Sequence, residues 1–371
     1  MKLVVAFNAF KGSMSPIQAG EYFIKGWKSV RGGDEIVHFP IADGGDGTTD
    51  VWRYHFGGGV IYVGAHDALM RKVEVPVIIT RQMAMFSMAD VVGIANLSRN
   101  ERNPRITTTY GVGEVISYLV KKGIKDIYIS VGGSATVDGG IGLLLPLGFK
   151  VKGKSGVIEK ARGDMILYAY DVSLPSSFPK LNITVLSDVK NPLCGETGAA
   201  YVYGPQKGLR GEDIDVFDSA LRRWAGIVER KTGVSIHDRP GYGAAGGIAV
   251  ALHLLGDVKI VSGIEYILEK AAFKEKVGGA SLLITGEGKI DRQTFMGKAP
   301  YGVAMSFREV EKDGKVIAIG GKVEWEEINW HVFDAAFSLV PGPISLPLAM
   351  RNAPVFIEYM GRNMASALGN K

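Results

Sequence analysis

The chain has 371 residues, 46% hydrophobic and 22% charged, enough apolar content for a large core and, at ordinary domain sizes, about two or three domains. Its 43 basic and 38 acidic residues leave a net charge of +5 with no long basic run and no aromatic interleaving, so a nucleic-acid partner is not expected. A single cysteine excludes an internal disulfide framework, the six histidines lack zinc-site spacing, and no apolar stretch reaches the roughly 18 residues of a membrane span, so a reducing cytoplasm is the expected compartment.

Residues 3–7 read as a buried strand, too short for a signal peptide because Asn8 and Lys11 follow at once. After the loop 8–13, Ser15 and Pro16 give a helix cap with proline at the first helical position, and Ala19, Phe23 and Trp27 share one helix face. Lys11 and Ser13 thus stand past the C-terminal end of a strand, where ligands bind in open α/β sheets, although a solvated lysine is the plainer reading of Lys11. A second strand over 35–40 ends in Ile41-Ala42-Asp43-Gly44-Gly45-Asp46-Gly47, a glycine loop with more carboxylates than helix capping requires. From 59 to about 86 the apolar residues alternate, so short strands replace the strand–helix rhythm and a domain crossing is expected there. The hydroxyl-rich stretch Arg102-Asn103-Pro104-Arg105-Ile106-Thr107-Thr108-Thr109 precedes a helix over 113–122 and suits either an anion site or a capped loop.

The strand 126–131 runs into Gly132-Gly133-Ser134-Ala135-Thr136-Val137-Asp138-Gly139-Gly140, with Leu143-Leu144-Leu145 opening a helix or another core segment. A glycine loop between a strand and a helix start presents backbone N–H groups to an anion, with hydroxyls from Ser134 and Thr136 and a carboxylate from Asp138. Packing alone also accounts for such a loop, and it matches neither the Walker nor the Rossmann pattern. A strand over 181–186 ends in Ser187-Asp188-Val189-Lys190-Asn191-Pro192, an ordered polar turn. Gly204-Pro205-Gln206-Lys207-Gly208 carries a lysine on a turn, and 213–230 is an amphipathic helix. The glycine-dense stretch 240–247 serves close packing or ligand approach equally well, before an apolar helix over 248–255. Strands over 281–285, 316–321 and 335–340 and a closing helix over 346–368 complete an α/β domain interrupted by a second one.

Six stretches in order along the chain resemble the bacterial glycerate kinase family of the first type. They are Phe10-Lys11-Gly12-Ser13, Ala42-Asp43-Gly44-Gly45, Gly132 to Thr136 with Asp138-Gly139-Gly140, Asp188 to Leu193, Gly204 to Gly208, and Thr285-Gly286-Glu287-Gly288 with Ile290-Asp291 and Gln293-Thr294. The resemblance implies phosphorylation of D-glycerate by ATP and Mg²⁺, mostly at the 2-hydroxyl, by two α/β domains with the site in the cleft between them. One domain, expected over 1–58 plus 280–371, would be a flavodoxin-like parallel sheet; 59–279 would form the inserted second α/β domain. The sequence departs from the family at Phe7, Asp46 and Val137, where proline, glutamate and asparagine are usual. Asp46 and Val137 thereby weaken the case for a ligand contact at either position.

Phosphoryl transfer requires positioning and charge neutralisation more than covalent chemistry. On that basis Lys11, Ser13, Ser134 and Lys207, with the Gly133 backbone, are expected at phosphates or the substrate carboxylate. Asp43, Asp138 and Glu287 are expected at metal or substrate hydroxyls, with Asp138 and Glu287 as the metal ligands. Asp188 is the expected base, with Lys11 beside it in catalysis and Asn191, Asp291 and Thr294 in support. A dinucleotide-dependent oxidoreductase and a non-catalytic anion-binding regulator are the rival readings of the same glycine loops.

Overall fold

The computed structural model describes residues 1–237 and 239–369. These divide into two compact units, Met1–Gly57 with Gly263–Lys371, and Gly58–Ser262. In chain order the strands are β1 (Lys2–Phe7), β2 (Glu35–His38), β3 (Gly59–His66), β4 (Lys72–Ile79), β5 (Met83–Ser87), β6 (Asp126–Ser130), β7 (Lys150–Gly153), β8 (Gly156–Val157), β9 (Asp171–Ser173), β10 (Leu181–Ser187), β11 (Gly256–Ser262), β12 (Leu282–Ile290), β13 (Lys315–Val323) and β14 (Ala335–Ser338). Among the described residues no helix is long and apolar enough to cross a membrane.

The discontinuous unit is a five-stranded parallel sheet in the order β14-β13-β12-β1-β2. Counted along this unit alone the order is 2-1-3-4-5, the flavodoxin-like arrangement. Every side chain from Leu3 to Phe7 is fully buried, as a strand covered on both faces requires. Val4 and Ala6 enter the core formed with the helices Gly263–Lys270, Phe273–Val277 and Ala299–Val310. Leu3, Val5 and Phe7 point the other way, into the core formed with the helices Pro16–Lys28 and Leu346–Ala367. Two-residue alternation thus feeds both cores. Ser15 and Gln18 close a capping box at the start of the first of these helices.

The second unit is built on a six-stranded mixed sheet, β11-β10-β6-β5-β4-β3, with a small antiparallel sheet β8-β7-β9. Its strands β11, β10, β6 and β5 are parallel, while β4 and β3 run antiparallel as the alternation over 59–86 implies. Leu186 of β10 is in register with Ser130 of β6, so the turn at Asp188 and the loop at Gly132 leave the same sheet edge from neighbouring strands.

Two expectations need correction. The chain returns to the first unit at Gly263, not at 280. Ile264, Ile267, Leu268, Phe273 and Val277 bury their side chains against Val303, Ala304 and Phe307, a non-local match that no change of composition near 262 announces. The glycine loop also leads into no α-helix. Ile141–Leu147 is a 3₁₀ segment containing Pro146, too short and too irregular to place a macrodipole behind the loop.

The helices Pro16–Lys28 and Leu346–Ala367 cross with backbone touching backbone. A Cβ on Gly361 would lie 2.2 Å from the Phe23 carbonyl oxygen, and one on Gly26 would lie 1.8 Å from that of Glu358. Gly361→Ala is therefore expected to destabilise the protein by about 1–3 kcal/mol through overpacking, measured as a lower urea midpoint. Gly33→Ala, where a Cβ meets nothing within 4 Å, should stay within about 0.5 kcal/mol of the parent.

Candidate active site

In the second unit the loop after β6 is pinned before any ligand is considered. Ile94 N donates to Gly133 O and Ala135 N to Val92 O, both at 2.8 Å, and Thr107 Oγ1 donates to Ala135 O at 3.1 Å. Gly133 is exposed and takes φ +72°, a conformation open to glycine at little cost. Beneath it the Lys207 ammonium, only 3% exposed, donates to Ser134 Oγ and Thr136 O, each at 2.9 Å. Burial pushes the Lys207 pKa down to about 7, against the pull of the Asp138 charge.

Asp138 has no exposed surface at all. Its Oδ2 accepts from Thr109 N at 2.9 Å and Thr109 Oγ1 at 2.8 Å, and its Oδ1 from Gly140 N at 3.2 Å. Burial raises its pKa, opposed by these Thr109 and Gly140 donors and by Gly142 N–H. A carboxylate so enclosed braces the loop from behind, and the expected metal contact at Asp138 does not fit this geometry. Val137 is likewise fully buried, in the apolar core, so its lack of a polar side chain costs the loop no exposed donor. The stretch 240–247 resolves as close packing. A Cβ on Gly246 would lie 2.1 Å from Thr136 O and one on Gly243 would lie 2.4 Å from Pro192 O, so these glycines back both strand-end loops.

Asp188 is half-buried at the end of β10. Asn191 holds the turn that follows: its Nδ2 donates to Thr197 O at 2.8 Å, its Oδ1 accepts from Tyr203 Oη at 2.6 Å, and its carbonyl accepts from Gly241 N and Gly243 N. Tyr203 has its pKa pushed up to about 12 by burial and then by the Asp188 charge, which places that carboxylate in its neighbourhood. The sequence reading missed Tyr203. It closes the π-helical turn Ala199–Tyr203 just before Lys207, and its only sequence signal was that adjacency.

In the first unit, strand order reverses between β1 and β12, and the polar groups gather past the end of β1 and along the last residues of β12, as expected at a switch point. Asp43 accepts from Asn8 Nδ2 and Gly45 N, both at 3.1 Å. Glu287, 7% exposed, accepts from Thr294 Oγ1 at 2.8 Å. Burial first, and then the charges of Asp43 and Asp291, push its pKa up to about 7 against Lys298 and Thr294. Burial alone would raise Asp291; the Lys289 ammonium at 2.9 Å, Gln293 N–H and Lys298 outweigh it and hold the pKa below its usual range. Thr294 is fully buried and bridges Glu287 to Asp291 N, so it supports the carboxylates and is screened from a ligand. Asn8 and Lys298 are members of this group that the sequence reading did not assign.

Lys11 and Ser13 line an open pocket of about 360 Å³ with Asp46 and Asp50. The Lys11 side chain is 74% exposed and 3.7 Å from Asp46, while Ser13 Oγ donates to Met350 O at 2.6 Å. The Phe7 departure is a packing matter, since Phe7 is fully buried edge-on to Phe10 and Phe23.

Among the described residues no three His, Cys, Asp or Glu side chains are grouped to hold a metal. Mg²⁺ commonly takes one or two carboxylates and completes its shell with phosphate oxygens and water. Asp43 and Glu287, close enough to act on each other electrostatically, suit that pattern. The raised Glu287 pKa has a consequence for stability. Between its ordinary value of 4.5 and about 7 the folded protein keeps a proton that the unfolded chain releases. Stability therefore falls as pH rises through that window. Glu287→Gln should abolish this fall, amounting to roughly 3 kcal/mol at most, in ligand-free urea titrations from pH 4.5 to 7.5.

The sequence model described as the glycerate kinase family matches residues 3–369. A glycerate kinase of Halalkalibacterium halodurans is 36% identical over 370 residues, covering 98% of this chain and 97% of its own. The glycerate 2-kinase of Escherichia coli K12 is 33% identical over 375 residues, covering 99% and 98%. A crystal structure named "putative glycerate kinase 2", from Salmonella typhimurium LT2, superposes with a TM-score of 0.82 at 32% identity over 99% of this chain and 98% of that one. With a family match across nearly its whole length and relatives above 30% identity over that same length, this chain belongs to the glycerate kinase family of phosphotransferases.

Proposed function

We propose that the protein transfers the γ-phosphoryl group of ATP to the 2-hydroxyl of D-glycerate, giving 2-phosphoglycerate, in the cytoplasm. The observation that carries this reading is the Lys207 ammonium held beneath the exposed Gly133 backbone on Ser134 Oγ and Thr136 O. A buried cation fixed under a glycine loop is a preorganised complement to phosphate charge, and it requires no reorganisation when the reaction begins. The 2-position is favoured by the Escherichia coli relative, which is a glycerate 2-kinase by name.

Mg²⁺, when bound, neutralises charge on the donor phosphates. Glu287 and Asp43 are the residues proposed to hold it, with Asp291 and Thr294 keeping Glu287 in place. Gly133, Ser134 and Lys207 bind phosphate oxygens. Asp188 accepts the proton of the acceptor hydroxyl or aims that hydroxyl, and Asn191 fixes the turn that carries it. Lys11 and Ser13 offer further contacts to an anion. Asp138 acts only through the loop it braces.

Incubating the protein with ATP, Mg²⁺ and D-glycerate should release ADP, and phosphorus NMR of the product should show the ester on the 2-hydroxyl. An ester on the 3-hydroxyl would correct the regiochemistry, and no ADP release over a range of small hydroxy acids would end the reading. Asp188→Asn should lower kcat by about 10²–10⁴-fold with little change in ATP affinity. A folded Asp188→Asn protein with an unaltered kcat would remove Asp188 from the mechanism.

A further inference from the structure

The stretch 102–109 carries two arginines, and the structure treats them differently. Arg105 is paired, with Nε and Nη2 donating to Asp213 at 3.1 and 2.5 Å. Arg102 is half-buried, its Nε is fully buried, and its side chain has no hydrogen bond or ion pair among the described residues. The adjacent carboxylate, Glu101, is already engaged by Arg71 Nη1 at 3.0 Å and Ser98 N at 2.8 Å. Burying the Nε of a guanidinium without giving it an acceptor is unfavourable, so this arrangement asks for an anion that the described residues do not supply.

The backbone places Arg102 beside the glycine loop. Gly208, at φ +107°, packs directly on Arg102, since a Cβ there would lie 2.0 Å from Arg102 O. Its neighbour Lys207 holds Ser134, and Thr107 of the arginine stretch holds Ala135. Arg102 therefore belongs to the same packed group as the glycine loop. Resting on the function proposed above, we propose that Arg102 is a binding residue for an oxyanion of the substrates, carboxylate or phosphate, alongside Lys207. The planar guanidinium takes either group through two parallel N–H donors, which lysine cannot reproduce.

The test uses Arg102→Met and Arg102→Lys in the full chain, with kcat, KM for D-glycerate, KM for Mg²⁺-ATP and Tm measured for each. Arg102→Met should raise one KM by about 10–100-fold, with a smaller change in kcat and a Tm equal to or above the parent, because no protein partner is lost. A raised glycerate KM identifies the carboxylate, and a raised ATP KM identifies a phosphate. Arg102→Lys should recover only part of the affinity, and it decides the matter alone if Arg102→Met does not fold. Both KM values within twofold of the parent in a folded variant would overturn the proposal. If the parent protein shows no glycerate phosphorylation, calorimetric titration of D-glycerate and of ATP separates the two readings. Weaker binding of either by Arg102→Met still supports the arginine site, and unchanged binding, or no binding by the parent, overturns it.

Discussion

Two charges removed from water behind one loop organise the second unit. Asp138 is fully buried and Lys207 nearly so; the Asp138 charge offsets only part of the Lys207 desolvation, and the Thr109, Gly140 and Gly142 donors offset only part of that of Asp138. Such groups are tolerated in a fold only when hydrogen bonds satisfy them. Here those bonds run to Thr109, Gly140, Ser134 and Thr136. Satisfying the buried charges therefore fixes the loop in space, and Gly133 is left on its outer side. The orphaned hydroxyls of Ser130, Thr108 and Thr136 lie in this same neighbourhood, so the group is polar beyond what its own bonds use.

The glycines around this centre follow from the same constraint. Holding a buried carboxylate on backbone N–H groups requires the chain to pass close behind it, and Gly243, Gly246 and Gly208 are the points of closest approach to the turn at Asn191, the loop at Thr136 and the backbone of Arg102. Side chains at those positions would push the strand-end loops apart. The high glycine content of this chain is in that respect a packing requirement of its site.

The first unit reaches a comparable result by a different device. Its parallel sheet reverses order between β1 and β12, the position at which open α/β sheets usually bind ligands. Asp43, Glu287 and Asp291 collect there, held by Asn8, Thr294 and Lys289. Three carboxylates in one low-dielectric place cannot all ionise with equal ease. Glu287, with the least compensation, is the one whose proton is held to about pH 7, while Asp291, beside Lys289, stays ionised.

The sequence by itself determined the strand–loop–helix rhythm, the positions of the glycine loops and the family. Those features are local: β-branched runs, glycine pairs and the Ser15-Pro16 cap fix backbone conformation over a few residues, and six such motifs in order leave little room for another fold. Only the tertiary structure decided which side chains are enclosed. Asp43, Asp138 and Asp188 look alike as carboxylates beside loops, yet Asp138 is sealed behind its loop while Asp188 remains half-buried, because burial depends on what distant segments pack over each one. For the same reason Lys11 is exposed and Lys207 buried, Arg105 is paired and Arg102 unpaired among the described residues, and the unit boundary falls at Gly263. Each of these outcomes depends on contacts between residues far apart in the chain, for which local spacing carries no signal.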